Sequence, residues 1–321
     1  MKVGRSVGHS AAPVAPVTFS PAISTAVSEQ GIMQDRGGGS SIQQTPGASH
    51  VSAPPSPAPS TPRLVVKSLY LFAGETRKAS LADMFMEVAS EYGYNAEITE
   101  WDIVRGASHD LTVQPPWDEI CSKIDASAYD IIFISPPCNT FSRSLFHIWV
   151  PGPLPLRTAQ HPKGFPWLSG ARAEKVHDAN FMVLQTLRAC ECASKAGALY
   201  AIERPEDLGD YSGYHPASIW QWAEVQDLAS KTNAIRIVFH QKNFGAESPK
   251  PTAVLTNCQD PAPFTMTGWP VMADDGSYSG PLPNIRGKPM AMGPDNTKST
   301  AAYPPLLCQA LARLLLKKIV V

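Results

Sequence analysis

LVVKSLYLFAG (residues 64–74), SLADMFMEVASEYG (80–93) and NAEITEW (95–101) follow one another with only ETRKA and one tyrosine between them. The first run is dense in β-branched and aromatic residues and stops at Gly74, which reads as a strand ending in a sharp turn. In the second, Leu81, Met84, Val88 and Tyr92 recur at helical spacing before Gly93 breaks the pattern. The third is strand-like again, so the chain runs strand, turn, helix, strand. YDIIFISPP (129–137) is a buried apolar strand ended by two prolines, and AEKVHDANFMVLQTLRACECASKAG (173–197) is a helix with Val176, Val183, Leu187 and Cys190 on one face. ALYAIERP (198–205), NAIRIVFH (233–240) and PTAVLTN (251–257) read as further strands, and PPLLCQALARLLLKK (304–318) as a closing helix. Strands alternating with helices predict an α/β fold: a doubly wound, mostly parallel sheet with helices on both faces.

Upstream the texture is different. Ser, Pro, Ala and Gly fill 35 of the first 62 positions, which carry only five charged residues. Such a stretch cannot bury enough apolar surface to offset its ordering entropy, so 1–62 is expected to be a disordered tail and 63–321 the catalytic-size domain. Lys2 and Arg5 ahead of an acid-poor Ala/Ser-rich stretch leave a transit peptide open, although no amphipathic period is evident. The 321 residues carry 27 Lys+Arg against 28 Asp+Glu, so a polyanionic partner would have to be met by a local patch. Six cysteines without paired C-x-x-C spacing predict a reducing, intracellular setting and no zinc framework. No run approaches the length of a membrane-spanning helix, which predicts a soluble protein without a membrane partner.

In open parallel sheets ligands lie beyond the carboxyl ends of the strands, which singles out four places. Gly74 would turn the chain and bring backbone amides towards a ligand. Glu100-Trp101-Asp102 ends the next strand; a carboxylate there can accept both hydroxyls of a ribose, and an indole can stack on adenine. Together these look like a site for an adenosine-containing cofactor, with His109-Asp110-Leu111 adding a polar contact. Cys138 sits in SPPCNTFS (135–142), projecting from a turn stiffened by two prolines with Asn139, Thr140 and Ser142 around it. Glu203, in IERPE (202–206), ends another strand and would face the same edge, where it could protonate or hydrogen-bond a ring nitrogen.

The order LFAG, EW, PPC-x-x-FS and ER resembles the DNA cytosine-5 methyltransferases, over roughly residues 66–257 plus the closing segment TAAYPPLLCQALA (300–312). PLRTAQHPKGFPWL (155–168) and NFGAESPKPTAVLTN (243–257) look like a compact subgroup found in phages, protists and mobile elements. The resemblance implies a Rossmann-like class I methyltransferase whose S-adenosylmethionine site is lined by Phe72, Ala73, Gly74, Glu100, Trp101, Asp110 and Pro136. It implies that Cys138 attacks carbon 6 of a cytosine flipped out of DNA and that Glu203 holds ring nitrogen 3. Departures are equally plain. Glu75, Thr76 and Arg77 follow Gly74 where the family has further glycines, and Arg204 stands where it has Asn. The family's spaced Gln and two Arg fall on Ser248, Lys250 and Thr252, leaving Lys250 for the base carbonyl or a phosphate. Residues 258–300, rich in Gly and Pro, replace the family's target-recognition domain.

A basic stretch follows the cysteine loop. Ser142 and Arg143 open it, and Arg157, Lys163, Arg172 and Lys175 continue it, with Glu174 as its one acid and Phe146, Trp149, Phe165 and Trp167 interleaved. That composition is expected of a loop that meets phosphates and stacked or flipped bases. The alternative to an active enzyme is a catalytically weak or inactive relative that binds nucleic acid. A dinucleotide-dependent oxidoreductase is disfavoured because no G-x-G-x-x-G follows the first strand.

Overall fold

The computed structural model describes residues 64–146, 153–210, 213–264 and 302–319. The expected tail at 1–62, Trp149 and most of the 258–300 insert lie outside the described residues. Six strands form one sheet: β1 (Val65–Leu71), β2 (Asn95–Trp101), β3 (Ile131–Ile134), β4 (Leu199–Pro205), β5 (Ile235–His240) and β6 (Pro251–Thr256), in spatial order β2-β1-β3-β4-β6-β5. Five strands run in one direction, with Leu71 opposite both Trp101 and Ile134, so the carboxyl ends of β1, β2 and β3 finish level. β6 alone runs the opposite way, between β4 and β5, and it places Val254 opposite Glu203 of β4. The expected doubly wound, mostly parallel sheet is what the chain forms.

Alternation along each strand divides the core into two layers. Leu69, Leu71, Ile132, Ile134, Tyr200 and Ile202 face one side, where α2 (Gln114–Asp125), α3 (Gly170–Lys195) and α4 (Ala223–Thr232) cover them with Trp117, Val183, Leu187, Trp222 and Leu228. Tyr70, Ile131, Phe133 and Val254 face the other, against α1 (Leu81–Glu91) and α5 (Pro305–Ile319), which contribute Phe85, Val88, Leu311 and Leu315. Helix α1 starts where Ser80 and Asp83 form a reciprocal capping box. The sequence reading did not anticipate α2 and α4. Both are short and polar outside; α2 carries prolines in its first turn, where the missing N–H costs nothing. Among the described residues no helix is long and apolar enough to cross a membrane.

The strand order reverses at β1: the chain steps from β1 outwards to β2, then returns to lay β3 on the other side of β1. The crevice beyond the ends of β1 and β3 is therefore the topological switch point. Both the LFAG turn and the SPPC loop begin there, and the amide of Ser135 donates to the Leu71 carbonyl.

Candidate active site at the carboxyl edge of the sheet

The turn after β1 is left-handed at two positions, Phe72 (φ 62°) and Gly74 (φ 71°). Phe72 is not glycine, so the turn stores strain of about 1 kcal/mol or more, a signature of functional loops. It is held by β2: the Phe72 and Ala73 amides donate to the Trp101 carbonyl at 2.8 and 3.3 Å, and the Gly74 amide donates to Asp102 Oδ2 at 2.9 Å. A Cβ built on Gly74 would meet nothing within 4 Å, so glycine is favoured there by its φ and leaves open space beside the turn.

At the end of β2 the expected cofactor residues already have partners. Both oxygens of Glu100 pair with the Arg105 guanidinium, Nη2 to Oε1 and Nη1 to Oε2 at 3.0 Å each, with both side chains about one-fifth exposed. Arg105 Nε also donates to the Gly74 carbonyl at 2.9 Å. Arg105 thus straps the glycine turn to the strand-end acid, a residue the sequence reading did not single out. Trp101 is buried, and its ring stacks on His109 with centroids 4.5 Å apart and planes at 22°, so that face is a wall of the fold. Asp110 Oδ1 accepts from the amide and hydroxyl of Thr112, which turns the chain towards α2.

A second cluster forms where β3 and β4 end side by side. Glu203 is buried on β4, and its Oε2 accepts from Tyr303 Oη at 2.7 Å and from Ser135 Oγ at 3.1 Å; the two hydroxyls also touch each other. Oε1 has no donor among the described residues. Burial, then the Glu203 charge, holds the Tyr303 hydroxyl well above the usual phenol range, so it stays a donor at ordinary pH. Lys250 Nζ lies 5.7 Å over the Tyr303 ring, which brings the predicted lysine to the same cluster. Tyr303 precedes α5, 100 residues beyond Glu203, and neither it nor Ser135 had been assigned a role from sequence.

Arg204, beside Glu203, is fully buried and clamps the cysteine loop: its Nη1 donates to the Pro136 carbonyl at 2.6 Å. Cys138 is half-buried with a free thiol, and its carbonyl accepts from the Phe141 amide at 2.9 Å, which closes the turn around the sulfur. The Phe141 ring carries two guanidinium groups, Arg157 at 3.8 Å and Arg204 at 4.7 Å. Neither has a carboxylate within ion-pair distance among the described residues. Burial, and then the neighbouring Arg204, pushes the Arg157 guanidinium down to about 9.

The basic stretch divides into cations that fold back on the body and cations that face out. Arg157, read from sequence as a phosphate contact, is 1% exposed and donates inwards to the Pro162 carbonyl and Asn180 Oδ1. Lys163 pairs with Glu224 and lies over the Trp222 ring. Arg143 folds back on the Asp210 carbonyl, Ser142 Oγ bonds Ser144 Oγ, and Phe146 is buried. Arg172 and Lys175, on the first two turns of α3, are exposed and make no ion pair or hydrogen bond among the described residues. A count of charges along the chain cannot reveal which cations a loop turns inwards.

No protein-family model and no curated protein matches the chain. Among solved structures it is similar to the S. pombe Dnmt2 methyltransferase, at 12% sequence identity and a TM-score of 0.34, over 60% of this chain and 50% of that one. The chain thus spans about half the length of that methyltransferase. The functional reading rests on the topology and on the site itself.

Proposed function

We propose that the chain is an S-adenosylmethionine-dependent methyltransferase that acts on carbon 5 of cytosine in DNA through a Cys138 adduct. The observation that carries this reading is the meeting, at one switch point, of a left-handed glycine turn with a strand-end acid on β1 and β2, and a proline-stiffened cysteine loop with a buried acid on β3 and β4. A cofactor fits the first half: Gly74 leaves open space beside the turn, and Glu100 is partly exposed at the position suited to a ribose. Phe72, Ala73, Gly74, Glu100, Trp101, Asp110 and Pro136 would hold it, with Glu100 exchanging Arg105 for the ribose hydroxyls. When bound it supplies an electrophilic methyl group.

The chain's own residues do the rest. The Cys138 sulfur bonds to carbon 6, and the electron pair of the 5,6 double bond moves towards carbon 5 and the ring nitrogen. Glu203, whose Oε2 accepts from Tyr303 and Ser135, would donate a proton from its other carboxyl oxygen to ring nitrogen 3 as negative charge develops there. Lys250 beside Tyr303 offers a cation to the base carbonyl or a phosphate. After carbon 5 is alkylated it loses its proton to water, the electron pair of that C–H bond re-forms the 5,6 double bond, and the sulfur–carbon 6 bond breaks to release the thiolate. Arg204 acts as a positioning residue by fixing the backbone two residues before the sulfur.

One observation favours a second reading, a relative that binds nucleic acid without turnover. Arg105 already occupies both Glu100 oxygens, and one face of Trp101 is covered by His109. The two separate in one assay: methyl transfer from labelled S-adenosylmethionine to unmethylated DNA, with the product nucleoside identified by mass spectrometry. 5-Methylcytosine that disappears with Cys138→Ala supports the enzyme. Cofactor binding with no label transferred supports the binding protein.

A further inference from the structure

Three aromatic rings stand together on the segment between the cysteine loop and α3. Phe165 and Trp167 stack face to face, centroids 4.7 Å apart and planes within 9°, and His161 meets both edge-on at 5.8 and 5.7 Å. Trp167 is nonetheless 69% exposed, the most open tryptophan among the described residues. An indole with one face on Phe165 and the other in water is an unfinished stack.

The segment is not a loose loop. The Phe165 amide donates to the Leu156 carbonyl, the Ala159 amide to the His215 carbonyl, and Asn180 Nδ2 of α3 to the Lys163 carbonyl. The buried Arg157 ties down the Pro162 carbonyl from inside. At Gly164 (φ 112°) a Cβ would lie 2.5 Å from Val176 Cγ1, so the backbone is pressed directly against α3. The rings are therefore held at a set position relative to the first turns of that helix, which carry the exposed Arg172 and Lys175. The N-cap residue, Ser169, makes no side-chain cap, which leaves first-turn amides available. Because α3 enters the fold from the carboxyl edge of the sheet, this surface lies on the same edge as Cys138.

We propose that Trp167 is a stacking platform for an unpaired base, with Arg172 and Lys175 on the flanking phosphates, so that the chain engages its nucleic acid as a single strand. The inference rests on the nucleic-acid reading above and narrows it. Base faces in a duplex are covered by their neighbours, so a continued Phe165–Trp167 stack accepts only a base whose face is free. Rigid aromatic faces beside cations are the chemistry such strands require, and neither cation is taken up by an ion pair among the described residues, although Glu174 lies between them.

The test uses the full chain and a fluorescein-labelled deoxyoligonucleotide of roughly 16 nucleotides, alone and annealed to its complement, with anisotropy read at several salt concentrations. Trp167→Ala should weaken single-strand binding about ten-fold or more and duplex binding by less than about two-fold, with Trp167→Phe keeping most of the affinity. Arg172→Ala with Lys175→Ala should reduce the slope of log affinity against log salt by about 1.4 on the single strand, whereas Trp167→Ala should leave it unchanged. Single-strand binding indifferent to Trp167→Ala, or an equal loss on both forms, overturns the proposal. So does sedimentation showing that the variant abolishes self-association, which would make Trp167 a contact between copies of the chain. Failure of the wild-type chain to bind either form removes the nucleic-acid reading itself, whereas binding indifferent to Trp167 removes only this inference.

Discussion

Glu206 offers a sharp energetic test at the edge of the site. It follows β4 directly, and its amide donates to the Pro251 carbonyl. Its carboxyl group is fully buried; neither oxygen accepts a hydrogen bond, and Arg236 approaches only to 3.5 Å, in ionic contact without hydrogen-bonding geometry. Burial, outweighing the attraction of Arg236, pushes the carboxyl from 4.5 up to about 7. A folded value above the unfolded one means that folding favours the protonated acid. Its contribution is fully present below pH 4.5, is lost as the pH climbs, and is gone above about 7. At about 1.4 kcal/mol per unit, the span of roughly 2.5 units is worth on the order of 3 kcal/mol. Glu206→Gln keeps the shape and abolishes the titration. Measured by denaturant unfolding, the variant should gain about 2–3 kcal/mol relative to wild type between about pH 4 and about pH 8. An identical stability difference at both ends would refute the reasoning and show that Glu206 stays ionised in the fold, satisfied by Arg236.

Two further outcomes follow from contacts described above. Arg105→Met frees both Glu100 oxygens, and since a partly exposed pair is worth up to about 1 kcal/mol, S-adenosylmethionine should bind about two- to five-fold tighter by calorimetry; weaker binding would make Arg105 a support of the site. Gly164→Ala adds strain at φ 112° and a clash with Val176. It should destabilise the chain by about 1–3 kcal/mol in thermal unfolding and lower single-strand affinity in parallel with Trp167→Ala, with Val176→Ala restoring part of both.

Read without a structure, the sequence already determined the alternation of strands and helices, hence the layered sheet, and with it the edge on which Gly74, Glu100, Cys138 and Glu203 would lie. Those inferences rest on hydrophobic period and on breakers such as Gly74, Gly93 and Pro136-Pro137, whose effects act within a few residues. α2 and α4 escaped notice because, over 12 and 10 residues, their apolar positions are sparse and only packing beneath α3 makes them count. What tertiary structure alone decided is the partner of each polar group. Tyr303 reaches Glu203 across 100 positions of chain, Arg105 takes the acid expected to await a ribose, and Arg157 is drawn inside while Arg172 and Lys175 stay out. Electrostatic and hydrogen-bond partners are set by distances in space of a few ångströms, and sequence separation carries almost no information about those distances once the chain has folded back on itself.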